Sequence, residues 1–308
     1  MSLIVKTQFN DQVESVIQMV VAETNSEKTA QVYEDEIRKF LAHSAGQGVQ
    51  SPAQAVGAYK RSLRERGYKP ATINKKLSAI RKFFRVAARE GLIPADLASK
   101  AESVESIPVR GQKRGNWLDA AGMRQLLNFP VEEGEDERLV VRDRAILAVF
   151  LACGLRVFEV AELVWGQFRK REMGGKIVAQ FEDIQGKHHR VRTVPVASYA
   201  VALLETWHAL RPAGDSERIF VSLTPSDEWN GQITTNGLWR VVKKRAGAAG
   251  LPQISVHDLR RSAATLLYNR TDDMKQAQFM LGHTSMAVTE RYLDTSLDAP
   301  LVADAMEL

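Results

Sequence analysis

The middle of the chain carries the change of pattern that most constrains the fold. Residues 99–116, SKAESVESIPVRGQKRGN, show no periodic spacing of apolar residues and are rich in Ser, Gly, Pro and charge. Such a segment is typical of an interdomain linker. Residues 1–98 before it show helical periodicity alone, whereas residues 117–292 mix helical and strand patterns. We therefore expect a two-domain fold that is mainly α-helical, with a small β-sheet or hairpin in the second domain.

The first domain is predicted to consist of amphipathic helices. In the segment 26–45, Ser26 is the predicted N-cap, and in the segment 69–91 Thr72 is the predicted N-cap and Gly91 the stop signal. A helix needs an apolar stripe that repeats every three or four residues. The stripe of the first of these helices is Val32, Tyr33, Ile37, Phe40 and Leu41, and that of the second is Ile73, Leu77, Ile80, Phe84 and Ala88.

Basic residues are concentrated in the first domain. Residues 60–89 contain 11 Lys and Arg but a single acidic residue, Glu65, and the whole chain has a net charge of +5. A concentrated basic face indicates a polyanionic partner, although a solvated helix face is the alternative. If the partner is DNA, the predicted contacts are Lys75, Lys76, Lys82, Arg85 and Arg89 outside the apolar stripe, and Arg110, Lys113 and Arg114 in the linker.

The second domain is predicted to contain buried helices and one hairpin. Residues 158–168, FEVAELVWGQF, have the pattern of a buried helix. Residues 175–184 and 190–196 alternate apolar and polar side chains as strands do. Lys187 lies in the short polar segment between them and is therefore expected at the turn of a β-hairpin.

Several side chains of the second domain suit phosphodiester chemistry. Arginine has planar, permanently charged donors that match phosphate oxygens, and two arginines together can neutralise the charge that builds up at phosphorus. A tyrosine can attack phosphorus, and a lysine can protonate the departing sugar oxygen. The sequence contains no cluster of carboxylates that would hold a metal. The set of candidates is Arg156, Lys187, His257, Arg260, His283 and Tyr292.

Five motifs that contain these residues resemble those of the tyrosine recombinase, or phage integrase, family. They are GLRVFE, GKHHRVRTVP, HDLRRSAAT, LGH and TERYL, and they follow one another in the family's order. The chain departs from the family pattern at Phe158, where Ser or Gly is frequent, and at His188 and His189, where the hairpin turn usually has Gly and a polar residue. The resemblance covers nearly the whole chain and implies a helical core-binding domain followed by a mixed α/β catalytic domain.

The resemblance implies a role for each candidate. Arg156 and Arg260 would bind the scissile phosphate, and His283 would donate to it. Tyr292 would attack to form a 3′-phosphotyrosine. Lys187 would act as the general acid. His257 would assist proton transfer from the tyrosine, and Glu159 would orient the site.

The resemblance also implies the partners of the protein. They are double-stranded DNA with paired inverted half-sites, other copies of the chain in a synaptic tetramer, and accessory DNA-bending proteins. No metal or nucleotide cofactor is expected. The acidic tail, residues 293–308, is expected to dock on a neighbouring copy, with folding back onto its own subunit as the alternative. Because basic helices begin almost at once, we expect the simple Xer- or transposon-like type without an arm-binding domain.

The sequence also bears on location and on rival functions. It contains no apolar run near the roughly 20 residues that span a bilayer, no signal-peptide pattern, and one cysteine, Cys153. A cytoplasmic protein associated with the nucleoid is therefore expected. The rivals are a metal-dependent nuclease, a DNA-binding protein without chemistry, and a type IB topoisomerase or telomere resolvase with the same chemistry. The nuclease would use Glu182, Asp183, His188 and His189.

Overall fold

The protein separates into two compact units, Met1–Gln112 and Lys113–Leu308, each described here by itself. The computed structural model describes residues 3–24, 26–45, 51–108, 116–186, 191–211, 216–222 and 231–293, with the backbone alone for residues 3–9, 291 and 292. Across these residues, no helix combines the length and the apolar character needed to span a membrane.

The first unit is helical over its described residues. Its helices are α1 (Leu3–Ala22), α2 (Glu27–Ala45), α3 (Pro52–Glu65), α4 (Pro70–Arg89) and α5 (Ala95–Glu102). Helix α5 continues past residue 98, where the sequence pattern places the start of the linker. Ala101 is fully buried, and Val104 and Ile107 pack against the same core, so the residues that follow α5 still belong to this unit.

The residues at the N-termini of these helices explain where the helices begin. The hydroxyl of Ser51 accepts a hydrogen bond from the Gln54 amide at 3.3 Å and caps α3, and the hydroxyl of Ser26 accepts one from Thr29 at 3.2 Å. The prediction that Thr72 caps α4 is wrong. The helix begins two residues earlier at Pro70, because proline has the φ angle of a first helical residue and no N–H to satisfy there.

Helix α4 supplies much of the core of the first unit. Ile73, Leu77 and Ile80 are fully buried, as the apolar stripe predicts. Burial of each large apolar side chain contributes about 1.5–3 kcal/mol, so this stripe holds α4 against α1, α2 and α3. The stripe predicted for α2 is wrong at one position, because Val32 is 41% exposed.

The second unit combines eight described helices, a short 3₁₀ turn and a three-stranded sheet. The helices are α6 (Ala120–Leu127), α7 (Glu137–Cys153), α8 (Val157–Glu162), α9 (Ser198–Leu210), α10 (Thr235–Ala248), α11 (Val256–Thr271), α12 (Met274–Leu281) and α13 (Met286–Tyr292). Helix α7 is buried along most of its length and packs against both α9 and α11, which makes it the centre of this unit.

The sheet of the second unit has the order β1-β2-β3 with antiparallel pairing. Its strands are β1 (Phe168–Met173), β2 (Lys176–Gln185) and β3 (Val191–Val196). Strands β2 and β3 form the predicted hairpin, in which Gln185 pairs with Val191. The predicted helix over 158–168 is wrong in its second half, since α8 ends at Glu162, a 3₁₀ turn covers Trp165–Gln167, and β1 follows.

Candidate active site

Arg156 is held at the start of a helix by the way the preceding helix ends. Gly154 has a φ of +57° and terminates α7 in the left-handed conformation that glycine adopts most easily. The chain then reverses, and Arg156 becomes the N-cap of α8. Its side chain is 28% exposed, so part of the guanidinium remains accessible to a ligand.

The carboxylate of Glu159, on α8, is the anionic centre of this region. It accepts from the Arg156 backbone amide at 2.7 Å and from the Arg156 guanidinium at 3.0 Å. Arg192 donates to both of its oxygens at 2.9 and 2.8 Å. Burial alone would raise the pKa of Glu159, but the hydrogen bonds and charge of Arg192 outweigh it and lower that pKa. Glu159 is therefore a buried, ionised carboxylate.

Arg260, on α11, lies beside the same carboxylate. Its Nη1 is 4.0 Å from Glu159 and donates to the Gly154 carbonyl, while Nη2 donates to the Leu281 carbonyl at 2.5 Å. Only 3% of the side chain is exposed. Its bonds to two backbone carbonyls fix the plane of the guanidinium, so the positive charge is preorganised beside Arg156.

His283 follows α12 and is placed by Gly282, which has a φ of +61°. Its Nε2 lies 3.5 Å from Nη2 of Arg260, and its Nδ1 lies 3.1 Å from the hydroxyl of Thr289 on α13. Burial, followed by the positive charges of Arg260 and Arg156, lowers the pKa of His283 to about 4. The imidazole is therefore neutral at pH 7.

His257 occupies the first turn of α11, three residues before Arg260. Desolvation of its ring and the charge of Arg260 lower its pKa, and Arg156 adds to that effect. Both imidazoles thus share the electrostatic field of the same two arginines. A neutral histidine has one ring nitrogen that can accept a proton and one N–H that can donate a hydrogen bond, and the tautomer decides which nitrogen has which role.

A cleft lies beside these groups, and residues of three of the five motifs, GLRVFE, GKHHRVRTVP and LGH, line it. Its lining comes from α8, the β2–β3 hairpin, α12, α13 and the turns between them: Arg156, Gly186, Val191, Arg192, Gln278, Phe279, Gly282, His283, Thr284 and Val288. Lys187 lies outside the described residues, but its neighbour Gly186 lines this cleft. Tyr292 ends α13, four residues after Val288, and its side chain is likewise outside the description.

The cations predicted to contact DNA in the first unit differ in their surroundings. Lys76 forms an ion pair with the buried Glu36, which also accepts a 2.6 Å bond from the Tyr59 hydroxyl. Lys82, Arg85 and Arg89 also pair with glutamates. Lys75 is exposed and has no acidic partner among the described residues. Arg110, Lys113 and Arg114 lie outside that part of the chain.

Sequence reasoning missed two side chains of the site, Arg192 and Thr289. Arg192 shares the inward face of β3 with Val194 and Val196. An arginine at a buried strand position needs an anionic partner, and that alternation was the signal that could have identified it. Thr289 is fully buried, but a threonine within a helix gives no comparable signal.

Of the four residues proposed for a metal-dependent nuclease, Glu182 and Asp183 belong to no cluster of metal-ligating side chains where the chain is described. Glu182 is bound to Arg171 at 2.8 Å on the sheet surface. Where the chain is described, no three His, Cys, Asp or Glu side chains come together as metal ligands. His188 and His189 lie outside the described residues.

Comparison with protein families and relatives identifies both units. Residues 116–297 match the phage integrase family, and residues 14–91 match the phage integrase N-terminal SAM-like domain. The chain is 31% identical over 278 residues to the tyrosine recombinase XerD of Pseudomonas aeruginosa, covering 87% of this chain and 86% of that protein. It is 26% identical to the tyrosine recombinase XerC of Roseiflexus castenholzii, covering 92% of this chain and 88% of the relative.

Solved structures of low sequence identity share the fold. The XerH site-specific recombinase bound to a palindromic difH substrate aligns with a TM-score of 0.69 at 18% identity, covering 91% of this chain and 78% of that one. The Tn1549 transposon integrase in complex with circular intermediate DNA aligns with a TM-score of 0.68 at 13% identity, covering 96% and 99%.

Proposed function

Because the chain belongs to the phage integrase family of tyrosine recombinases, we propose that it is a site-specific DNA recombinase that acts through Tyr292. The observation that carries this proposal is the convergence of Arg156, Arg260 and His283 beside one cleft. Two arginines and a neutral imidazole around a single buried carboxylate leave an excess of positive charge where a phosphodiester would bind.

The proposed chemistry needs the groups of this chain alone. The Tyr292 oxygen attacks phosphorus, the bond from phosphorus to the 5′-oxygen breaks, and a 3′-phosphotyrosine forms. Arg156 and Arg260 hold the phosphate oxygens, and His283 donates a hydrogen bond to one of them. The 5′-oxygen takes a proton from Lys187, and His257 accepts the proton of the tyrosine.

Strand exchange follows because the covalent bond preserves the energy of the broken linkage. A 5′-hydroxyl from a second duplex attacks the phosphotyrosine and releases Tyr292, so neither ATP nor a metal ion takes part. This requires two sites in one complex, in line with paired inverted half-sites, a synaptic tetramer and accessory DNA-bending proteins. A DNA substrate also fits the expected cytoplasmic, nucleoid-associated location.

We propose that the predicted core-binding domain, residues 1–98, and the predicted linker, residues 99–116, hold DNA through phosphate contacts. Lys75 is available for such contacts. At Lys76, Lys82, Arg85 and Arg89, phosphates would compete with the glutamates that already pair with these cations. The proposed DNA contacts also include the linker residues Arg110, Lys113 and Arg114. The proposed role of the tail, residues 293–308, is to dock on a neighbouring copy of the chain.

The test is covalent capture from nicked fragments of the host's own genome, in EDTA and without ATP. Nicked substrates trap the intermediate because the short 5′-ended piece diffuses away after cleavage. We expect an adduct that survives SDS and is joined through the 3′ end of the DNA. No adduct in EDTA, together with hydrolytic cleavage once Mg²⁺ replaces the EDTA, would instead support the nuclease. Strand exchange between two captured sites would separate a recombinase from a topoisomerase or a telomere resolvase.

A further inference from the structure

Arg192 occupies an unusual place for a charged side chain. It lies on the inward face of β3, and only 13% of its side chain is exposed. A guanidinium in such a position requires partners for several donors. The partners of the side chain come from two separate segments of the second unit, and its backbone belongs to a third, the β2–β3 hairpin.

The first partner is Glu159, which Arg192 binds with two parallel hydrogen bonds of 2.9 and 2.8 Å. The same carboxylate holds both the backbone amide and the guanidinium of Arg156. The orientation of Arg156 therefore depends on a carboxylate whose own position is set by Arg192.

The second partner is the turn that presents His283. Nε of Arg192 donates to the Met280 carbonyl at 3.3 Å. The side chain also lies over Gly282, where an added Cβ would come within 3.1 Å of Cδ of Arg192. The glycine of the LGH motif thus leaves room for Arg192, in addition to providing the left-handed φ that the turn needs.

The third connection is the hairpin itself. Arg192 pairs with Ile184 across β2 and β3, and the next pair, Gln185 with Val191, is the last before the connecting segment. That segment contains Lys187. Fixing Arg192 against Glu159 and Met280 therefore fixes the base of the loop that carries the lysine.

We propose that Arg192 is a positioning residue that fixes Arg156 and the turn before His283 relative to each other and to the strand ends from which the segment with Lys187 leaves. The inference rests on the proposed recombinase function. The planar fork of arginine can bind both oxygens of Glu159 and the Met280 carbonyl at once. Lysine would keep the charge but could not reproduce that geometry.

The experiment compares Arg192→Lys and Arg192→Gln with the wild-type chain on a captured substrate, in single-turnover cleavage. Two substrates are used, one with the natural 5′-oxygen and one with sulfur at the leaving position. A thiolate needs little protonation to depart, so a displaced general acid matters less on the sulfur substrate. Arg171→Gln is the matched control, because Arg171 forms an exposed pair with Glu182 on the same sheet.

On the natural substrate we expect both Arg192 variants to cleave more slowly, by up to about a hundredfold, which is typical of small displacements of catalytic groups. On the sulfur substrate we expect part of the defect to disappear, while the share due to Arg156 persists. Arg171→Gln should match the wild type on both. Tryptophan fluorescence and half-site binding report whether each variant is folded.

Wild-type rates for a folded Arg192→Lys on both substrates would overturn the proposal, as would equal slowing of that variant on both. If Arg192→Gln does not fold, Arg192→Lys alone gives the answer, and unfolding of both would show a purely structural role. A wild-type chain that forms no covalent adduct would instead overturn the proposed function, an outcome visible before any variant is made.

Discussion

Replacing Glu159 by glutamine removes the one negative charge that pairs with Arg156 and Arg192 among the described residues, and nearly nothing else. The two side chains have the same shape. The carboxylate is fully buried and accepts four hydrogen bonds from these two residues. Breaking a buried ion pair from one side costs about 3–5 kcal/mol, because the remaining charge is left without its counterion.

The lower end of that range applies here, since Arg156 is 28% exposed and water can compensate part of its charge. We therefore expect Glu159→Gln to lower the free energy of unfolding of the second unit by about 3 kcal/mol. Glu182→Gln is the control, because its partner Arg171 is 55% exposed. An exposed pair of this kind contributes about 0–1 kcal/mol.

Urea unfolding of the full chain, followed by tryptophan fluorescence, measures this difference. All five tryptophans lie after residue 112, so the signal reports on the second unit. The pKa of Glu159 is lowered by folding, so its stabilising effect is complete above the ordinary pKa of 4.5 and disappears as the pH falls through the folded value. A loss below about 1 kcal/mol at pH 7, equal to that of the control, would refute this account of the site.

Four further expectations concern the imidazole and the basic face. Thr289→Val removes the hydroxyl 3.1 Å from Nδ1 of His283 and should slow cleavage by about two- to tenfold, the value of one hydrogen bond. Thr289→Ser should preserve the rate, and equal rates for both variants would contradict the expectation. The pKa of His283 is about 4 in the folded chain, against an ordinary value of 6.5. As the pH falls, His283 of the unfolded chain therefore takes up a proton before His283 of the folded chain does. Stability should therefore rise with pH between these values, an effect that His283→Gln should reduce to the share that His257 contributes, and an NMR titration midpoint of His283 near 6.5 would contradict it. Lys75→Gln should leave stability unchanged and reduce the salt dependence of DNA binding by up to about one unit of slope. Lys76→Gln should destabilise the first unit by about 3 kcal/mol, because Glu36 is only 4% exposed, and unfolding followed by circular dichroism measures both lysine variants.

The helices of both units follow from local sequence because their signals are local. The spacing of Ile73, Leu77 and Ile80 indicates the buried face of α4, and Ser51 marks the start of α3 through a bond to a residue three positions away. The sequence predicts Thr72 as the N-cap of α4, but Pro70 also favours a helix N-terminus, and the sequence alone does not rank the two.

Strand β1 could not be predicted from its side chains. Its residues, FRKREM, are exposed except for the partly buried Phe168, so no alternation of apolar and polar positions marks it. The strand exists because its backbone pairs with β2, and that partner lies beyond a turn. Backbone pairing at a sheet edge leaves no pattern in the sequence of the edge strand itself.

The candidate site likewise has residues that local motifs predict and contacts that only the tertiary structure creates. Arg156, Arg260 and His283 were found because each lies in a motif, and the structure brings all three together. The bond between Arg192 and Glu159 joins residues 33 positions apart, and only the packing of β3 against α8 creates it. The alternation along β3 indicates that Arg192 needs an anionic partner, but which carboxylate it binds depends on the tertiary structure.

The central claim is that Tyr292 forms a covalent bond to DNA, and one measurement tests it most directly. The wild-type chain and Tyr292→Phe are incubated with the same nicked duplex in EDTA, denatured in SDS, digested with protease and analysed by mass spectrometry. The account predicts a nucleotide attached to the peptide that contains Tyr292 in the wild type, and equal DNA binding but no adduct in the variant. An adduct of normal yield with Tyr292→Phe, or a nucleotide attached to any other residue of the wild type, would contradict it.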